Sequence, residues 1–108
     1  MGEIGAAARQ LIDALSDANQ RWWQVLPLGP TSYGDSPYQS LSSFAGNELL
    51  IDFDSLVEAG LLDATSLQGF ERVPRERVDY GWVIPLRRGV LAEVAEQFPT
   101  RASAVMLE

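Results

Sequence analysis

The chain has 108 residues, 46% of them hydrophobic, and its fifteen acidic and eight basic side chains give a formal net charge of −7. This charge repels phosphate backbones and no apolar run reaches the roughly 18 residues that cross a bilayer, so nucleic acid and membranes are excluded as predicted partners. Cysteine and histidine are absent, which excludes disulfides, Cys/His zinc sites and Ser–His–Asp catalysis.

The first predicted element is an amphipathic helix over residues 3–18. Its apolar residues recur at helical spacing: Ile4, Ala8, Leu11, Leu15 and Ala18. Gly2 and Glu3 stand where a Ser, Thr or Asp cap is expected. Because the helix starts without a cap, we expect further sequence upstream of it.

A short buried strand is predicted next, over residues 22–28 (WWQVLPL). The segment is rich in strand formers, and Pro27 is acceptable at a strand end. Trp22 and Trp23 are predicted to be core residues. A helix followed by a strand and a Gly-Pro turn is typical of an α/β protein with a parallel sheet, in which ligands bind beside the carboxyl ends of the strands.

The loop after this strand is long and nearly uncharged, and it carries two tyrosines within residues 24–47. Most connections run to roughly 4–6 residues, so a loop of this length is typical of a functional segment, with a structural crossover as the alternative. Gly34 and Asp35 suit a turn that needs a left-handed residue.

Pro37 is predicted to hold Ser36 in an extended conformation and to fix the angle of Tyr38. The tyrosine ring can stack on a sugar, while Asp35, Ser36 and Gln39 can reach sugar hydroxyls. The alternative is that Tyr38 packs beneath the loop.

The second half of the chain is predicted to alternate extended and helical pieces. Two segments are predicted to be extended, residues 49–53 and 78–84. Between them, Asp63 is predicted to cap a turn over residues 63–67, and residues 68–77 are predicted to be irregular. A helix is predicted over residues 86–98. Asp54 or Ser55 caps a short helix that Gly60 terminates, with Glu58 completing a capping box. Tyr80 and Trp82 are predicted to cover the sheet. The chain reads as one partial domain over residues 1–108 with a disordered tail over about 100–108.

Two sequence patterns resemble functional motifs, but we assign neither a catalytic nor a nucleotide-binding role to them. Asp52 and Asp54 would lie about 6.6 Å apart on one face of a strand, a separation that invites a glycosidase interpretation. We favour structural roles, with Asp54 capping the following helical turn and Asp52 at the end of a strand, and assign no catalysis to them. The glycines match neither a dinucleotide fingerprint nor a phosphate-binding loop, so nucleotide binding has no support.

Three stretches of the chain closely resemble the amylomaltase family of 4-α-glucanotransferases: WQVLPLGPT (residues 23–31), YGDSPYQS (33–40) and FAGN (44–47). The similarity continues through residues 50–52, 56–62 and 78–81, and so covers roughly residues 3–98. The resemblance implies a (β/α)₈ TIM barrel, of which this chain would be an N-terminal fragment containing the first helix, the second strand and its long loop, and the following helices.

The resemblance also implies an activity: transfer of α-1,4-glucan segments between maltooligosaccharide or starch chains by a retaining mechanism, without a metal or organic cofactor. A cytoplasmic location is the default expectation for a chain without an apolar span or cysteine. By resemblance, Tyr38 would stack on the donor glucose, with Ser36 as a polar contact and Tyr33 on an outer glucan-binding surface. Asp35 is a predicted substrate-binding residue because of its place beside Tyr38 in the loop. Trp82, Val83 and Ile84 stand where some members have a second outer tyrosine.

The family's catalytic carboxylates would lie downstream, so we predict that this chain contains no catalytic residue and is inactive alone. α-1,4-Glucans are the predicted ligand. Two alternatives stay open: a noncatalytic glucan-binding fragment, and a fragment that self-associates through an exposed sheet edge.

Overall fold

The computed structural model describes residues 2–74, 76–103 and 106. They form three α-helices: α1 (Ala6–Asp17), α2 (Phe53–Glu58) and α3 (Tyr80–Arg101). Three 3₁₀ segments accompany them: Tyr33–Asp35, Glu48–Leu50 and Ala64–Arg72. By its contacts the chain divides into two compact units, unit 1 (Met1–Ile51) and unit 2 (Asp52–Glu108). No helix within the described residues is long and apolar enough to cross a membrane.

The predicted α/β class, a fragment of a (β/α)₈ barrel, is wrong for this structure, since the described residues contain helices and no strand. Residues 22–28 have no regular secondary structure and all of them are exposed. A strand takes its backbone hydrogen bonds from a neighbouring strand, so strand-forming side chains alone do not produce one. The predicted sheet edge for self-association is lost with the sheet.

Unit 1 begins with α1, whose bounds lie within the predicted helix. Gly5 occupies the N-cap position and makes no side-chain cap hydrogen bond, which confirms the uncapped start. The helix ends at Ala18, whose N–H donates to Ala14 O, and Asn19 then adopts a left-handed φ of 57°. Ile4 N donates to Leu50 O at 2.9 Å, so the two ends of unit 1 are joined by a backbone hydrogen bond.

The residues after α1 leave large apolar side chains in solvent. Trp22 is 92% exposed, and Trp23 lines a small cavity of about 130 Å³ against Ile12 and Leu15 of α1. The prediction that both tryptophans are core residues is therefore wrong in this structure. Among the described residues of unit 1, Leu49 is the one large apolar residue that is buried.

Unit 2 begins with the short helix α2, and both of its ends are defined by hydrogen bonds. Asp52 Oδ2 accepts from Ser55 N at 3.0 Å and also from the Ser55 hydroxyl. The cap is therefore Asp52, not the predicted Asp54 or Ser55. Gly60 has a φ of 72°, and Leu61 N donates to Leu56 O at 2.9 Å, so glycine terminates this helix as predicted.

The segment predicted as extended at residues 78–84 is instead the start of α3. Buried residues recur along α3 at spacings of four and three, namely Val83, Arg87, Val90 and Val94, and this periodicity belongs to a helix. Pro85 lies inside the helix, where the prediction had placed a boundary. Burial of this stripe outweighs the strand preference of residues 82–84.

The core of unit 2 packs α3 against α2 and the chain that follows it. Phe53, Leu61, Leu62, Val90 and Val94 form the buried cluster. Phe53 and Phe70 meet edge to face with ring centroids 5.6 Å apart. The guanidinium carbon of Arg87 lies 4.1 Å from the centroid of the Phe53 ring, so a buried cation faces an aromatic ring at a distance typical of a cation–π contact.

An exposed ion pair joins Asp63 to the last turn of α3. Arg101 Nη2 lies 2.9 Å from Asp63 Oδ2, and the hydrogen bond and charge of Arg101 lower the pKa of the Asp63 carboxyl. Because that pKa is lowered in the folded state, any stability the pair provides is present above the ordinary aspartate range. It is lost as the pH falls through the lowered value. Asp63 does not cap the following turn through its side chain, so its predicted capping role is wrong.

The tail expected after Thr100 lies partly outside the described residues, and α3 itself continues to Arg101. The 3₁₀ segment Ala64–Arg72 overlaps the turn predicted at residues 63–67. It continues into the segment 68–77, which was predicted to be irregular.

Phe53 provides a direct test of this core. Phe53→Leu removes the ring beneath Arg87 and beside Phe70 while keeping an apolar side chain. We expect the free energy of unfolding to fall by about 2 kcal/mol, measured by urea denaturation of the 108-residue chain. Phe44 is 100% exposed, so Phe44→Leu is the matched control and should leave the midpoint unchanged. Equal midpoints for the two variants would contradict the assignment.

Candidate functional site

The long loop lies entirely in unit 1, and within it Gly29 lies close to Ser40 and Ser42. A Cβ at Gly29 would lie 3.0 Å from Ser40 Oγ and 3.3 Å from the Ser42 carbonyl oxygen. Ser40 and Ser42 are themselves linked, because Ser40 Oγ donates to Ser42 O at 2.6 Å. Glycine at position 29 therefore allows the loop to close at its start.

Within this loop, residues 32–39 form a smaller turn that we call the tyrosine turn. Ser32 N donates to Gln39 O at 3.0 Å, and the Ser32 hydroxyl donates to the same oxygen. Gln39 N in turn donates to Ser36 O at 3.2 Å. These bonds tie both ends of the turn together, so its conformation is fixed by its own backbone and hydroxyl groups.

Left-handed backbone conformations bend the tyrosine turn, as the sequence predicted. Gly34 has a φ of 68° and Asp35 a φ of 54°. Glycine adopts this region without steric cost, and aspartate is among the residues that tolerate it best. Ser36 follows with φ −75° and ψ 127°, the extended conformation expected of a residue that precedes proline.

Tyr38 projects from the corner after Pro37. Its ring is 72% exposed, so it does not pack beneath the loop. Its backbone N–H donates to Ser36 Oγ at 3.3 Å, which assigns Ser36 a part in orienting the tyrosine. Tyr38 thus presents an aromatic face to solvent from a short hydrogen-bonded corner.

The other predicted site residues occupy the same turn. Asp35 and Ser36 are half-buried, and the turn holds them together with Tyr38 within four consecutive residues. Tyr33 begins the 3₁₀ segment Tyr33–Asp35, but its side chain lies outside the described part of the structure. The turn therefore gathers two polar groups and one aromatic face, an arrangement that can contact a sugar through stacking and hydrogen bonds.

Sequence reasoning missed two features of this loop. Ser32 closes the tyrosine turn, and no spacing rule connects a serine to a carbonyl seven residues later. Phe44 is fully exposed, although phenylalanine is among the residue types that are most often buried. Ser42 Oγ accepts from the N–H groups of Phe44 and Ala45 at 3.3 and 3.2 Å, so a serine-bonded turn holds this phenylalanine at the loop surface.

The two aspartates beside α2 were the carboxylate pair considered from the sequence. Asp52 Oδ2 is engaged as the cap of α2, a role that the sequence analysis had given to Asp54 or Ser55. Among the described residues, no group of three His, Cys, Asp or Glu side chains is placed to hold a metal ion.

Comparison with known proteins identifies the family. A family model described as 4-alpha-glucanotransferase matches residues 1–106. The chain belongs to this family. It is 48% identical over 99 residues to the 4-alpha-glucanotransferase of Streptococcus pneumoniae strain TIGR4, covering 91% of the chain and 20% of that protein. It is 47% identical over 103 residues to the Thermus thermophilus enzyme, covering 95% of the chain and 20% of that protein.

A solved structure is similar over nearly the whole chain. The amylomaltase from Streptococcus agalactiae, determined in complex with acarbose, superposes with a TM-score of 0.85 at 38% sequence identity. The match covers 97% of this chain and 21% of that one. The chain thus spans about a fifth of the length of the relatives that it matches, and the resemblance to the amylomaltase family is confirmed.

The backbone of the tyrosine turn can be tested with a pair of glycine substitutions. A Cβ meets nothing within 4 Å at either Gly34 or Gly46, but only Gly34 of the two has a positive φ. Gly34→Ala should therefore cost roughly 1–2 kcal/mol of local stability, while Gly46→Ala should not. We expect the Ser32 and Gln39 amides to exchange with deuterium about tenfold faster in Gly34→Ala, measured by NMR. Equal rates in both alanine variants would refute a left-handed residue at position 34.

Proposed function

We propose that this chain is a part of a 4-α-glucanotransferase that transfers α-1,4-glucan segments between maltooligosaccharides by a retaining mechanism, and that its long loop forms part of the donor-sugar surface. The observation that carries the proposal is Tyr38, an exposed residue on a hydrogen-bonded corner within the YGDSPYQS segment that resembles the family. Family membership over residues 1–106 supports the reaction class.

Each residue of the tyrosine turn has a role in this proposal. Tyr38 stacks its ring on the apolar face of the donor glucose. Ser36 orients Tyr38 through the Tyr38 N–H and keeps a hydroxyl hydrogen to donate, and Asp35 accepts from sugar hydroxyls. Tyr33 contributes to an outer glucan-binding surface. The acarbose complex of the Streptococcus agalactiae relative supports an oligosaccharide-like ligand for this family.

The chemistry of transfer needs two carboxyl groups about 5–5.5 Å apart, one as nucleophile and one as acid and base. Asp52 is engaged as a helix cap, so we give neither of these roles to it. We infer that the catalytic carboxylates belong to the four-fifths of the relatives' length that this chain does not match. The chain would then bind glucan weakly and be inactive without them, because one wall of a cleft cannot surround a sugar.

Location and substrate source extend the proposal further. We place the protein in the cytoplasm and take starch- or glycogen-derived maltooligosaccharides as its substrates, with no metal or organic cofactor. The names of the relatives, all 4-alpha-glucanotransferases, support this substrate class.

Activity is the first test of the proposal. Incubating the 108-residue chain with maltotriose should release no glucose and form no longer oligomers above a blank, assayed by chromatography, because the chain supplies no catalytic pair. The Thermus thermophilus relative, assayed in parallel, is the positive control for the assay. Sustained disproportionation by the chain alone would overturn the assignment of catalysis to other residues.

Binding at Tyr38 is the second test. Maltoheptaose titrated into the chain should shift NMR signals of the tyrosine turn saturably, and Tyr38→Ala should weaken this binding about tenfold by removing the stacking ring. Phe44→Ala removes another exposed aromatic ring from the same loop and is the matched control. If both variants bind as the unmodified chain does, Tyr38 is not the sugar platform. If both weaken equally, general aromatic stacking explains the signal and the specific proposal fails.

A further inference from the structure

Ser32 opens the tyrosine turn, and neither the family resemblance nor the proposed function gives it a role. It is half-buried and occupies the N-cap position of the 3₁₀ segment Tyr33–Asp35. A serine at an N-cap ordinarily accepts a hydrogen bond from a backbone N–H of the first turn, but the Ser32 side chain makes no such bond. Its hydroxyl instead bonds to the other end of the tyrosine turn.

Both donors of Ser32 meet a single acceptor. Ser32 N donates to Gln39 O at 3.0 Å, and the Ser32 hydroxyl donates to the same oxygen. A carbonyl oxygen has two lone pairs and can accept both bonds at once. Because Gln39 directly follows Tyr38 in the chain, these two bonds hold the backbone on the carboxyl side of the tyrosine.

The amino side of Tyr38 is held by longer bonds. Tyr38 N donates to Ser36 Oγ at 3.3 Å and Gln39 N donates to Ser36 O at 3.2 Å, whereas N–H···O bonds are usually about 2.9–3.0 Å long. Tyr38 is itself 72% exposed, so packing contributes little to its orientation. The bonds from Ser32 are therefore the stronger constraint on the position of Tyr38.

The closure matters for binding because an exposed turn of this kind opens at little cost in free energy. A ligand that stacks on Tyr38 in the closed turn binds only the closed fraction of the molecules, and its apparent affinity falls in proportion to that fraction. A hydroxyl that raises the closed fraction strengthens binding without touching the ligand.

We propose that Ser32 is a positioning residue of the donor-sugar surface: its hydroxyl, by donating to Gln39 O, holds Tyr38 where its ring stacks on a glucose unit of the glucan. The choice of ligand rests on the proposed function, whereas the closure of the turn by Ser32 does not. Ser32 acts through Tyr38 and needs no contact with the sugar.

Removal of the hydroxyl is the first arm of the experiment. Ser32→Ala keeps the backbone N–H and loses the side-chain bond, so we expect maltoheptaose to bind the 108-residue chain about threefold more weakly in an NMR titration. Ser32→Thr keeps a hydroxyl at this position and should bind as the unmodified chain does. Ser43 is an exposed serine of the same loop outside the tyrosine turn, and Ser43→Ala is the matched control.

Two outcomes of this arm overturn the proposal. Equal affinities in Ser32→Ala and Ser43→Ala would show that the hydroxyl does not contribute to binding. Equal weakening in Ser32→Ala and Ser32→Thr would show that the loss comes from a cause other than the hydroxyl. Far-UV circular dichroism checks that each variant keeps its helices.

A double-mutant cycle separates positioning from direct contact with the sugar. If Ser32 acts through Tyr38, Ser32→Ala should cause no further loss of affinity once Tyr38→Ala has removed the ring. Losses that add in the double variant would assign a sugar contact to Ser32 itself and overturn the positioning role.

Hydrogen exchange tests the closure without any ligand. The Gln39 amide should exchange about fivefold faster in Ser32→Ala than in Ser43→Ala, because the turn opens more often without the hydroxyl bond. Equal exchange rates would overturn the proposal.

The failure of this proposal is distinguishable from the failure of the proposed function. If Tyr38→Ala weakens maltoheptaose binding and Ser32→Ala does not, the donor surface stands and the positioning role falls. If the unmodified chain shows no saturable response, the donor surface falls and the role of Ser32 toward the sugar falls with it, whatever the exchange rates show about the turn.

Discussion

A helix satisfies its backbone N–H and C=O groups within its own segment, whereas a strand takes its hydrogen bonds from a neighbour. This constraint explains the division of the chain into ordered helices and an unpaired apolar stretch. α1, α2 and α3 form because their hydrogen bonds are local and, in unit 2, because a buried stripe holds them. Residues 22–28 have the side chains of a strand but no partner among the described residues, and they remain exposed.

The tyrosine turn obeys the same constraint on a smaller scale. It has no regular structure beyond one 3₁₀ segment, yet its backbone groups bond within the turn, through Ser32 with Gln39 and through Ser36 with Tyr38 and Gln39. A loop closed in this way keeps an aromatic ring at the surface without burying it. The exposure of Tyr38 is thus a product of local hydrogen bonding, and this is what qualifies the residue as a sugar platform.

In unit 2, α3 carries a buried stripe and an exposed face on neighbouring sides of one helix. Val83, Val90 and Val94 lie in the buried stripe, and Arg87 joins it because its guanidinium faces the Phe53 ring. Trp82, which was predicted to cover a sheet, lies beside this stripe and borders a surface groove. Pro85, which removes one hydrogen bond of the helix, is exposed and lies outside the buried stripe.

Much of the local structure followed from residue chemistry alone. Four local features were predictable, because each depends on φ preferences or on hydrogen bonds within a few residues. They are the uncapped start of α1, the end of α2 at Gly60, the left-handed Gly34 and the extended Ser36. The family was predictable as well, since the matching segments are long and specific. The role of Ser32 was not predictable, because its partner Gln39 lies seven residues away. The Asp52 cap was not predictable either, because Asp54 and Ser55 were competing candidates.

The sequence by itself determined the family, the turn chemistry around Tyr38 and the approximate position of α1. Only the tertiary structure decided that residues 80–84 are helical. The reason is that burial of Val83, in one stripe with Arg87, Val90 and Val94, outweighs the local preference of these residues for a strand. It likewise decided that no strand forms at residues 22–28 and that Trp82 borders a groove. Those outcomes depend on which segments pack together, and neither propensity nor spacing contains that information.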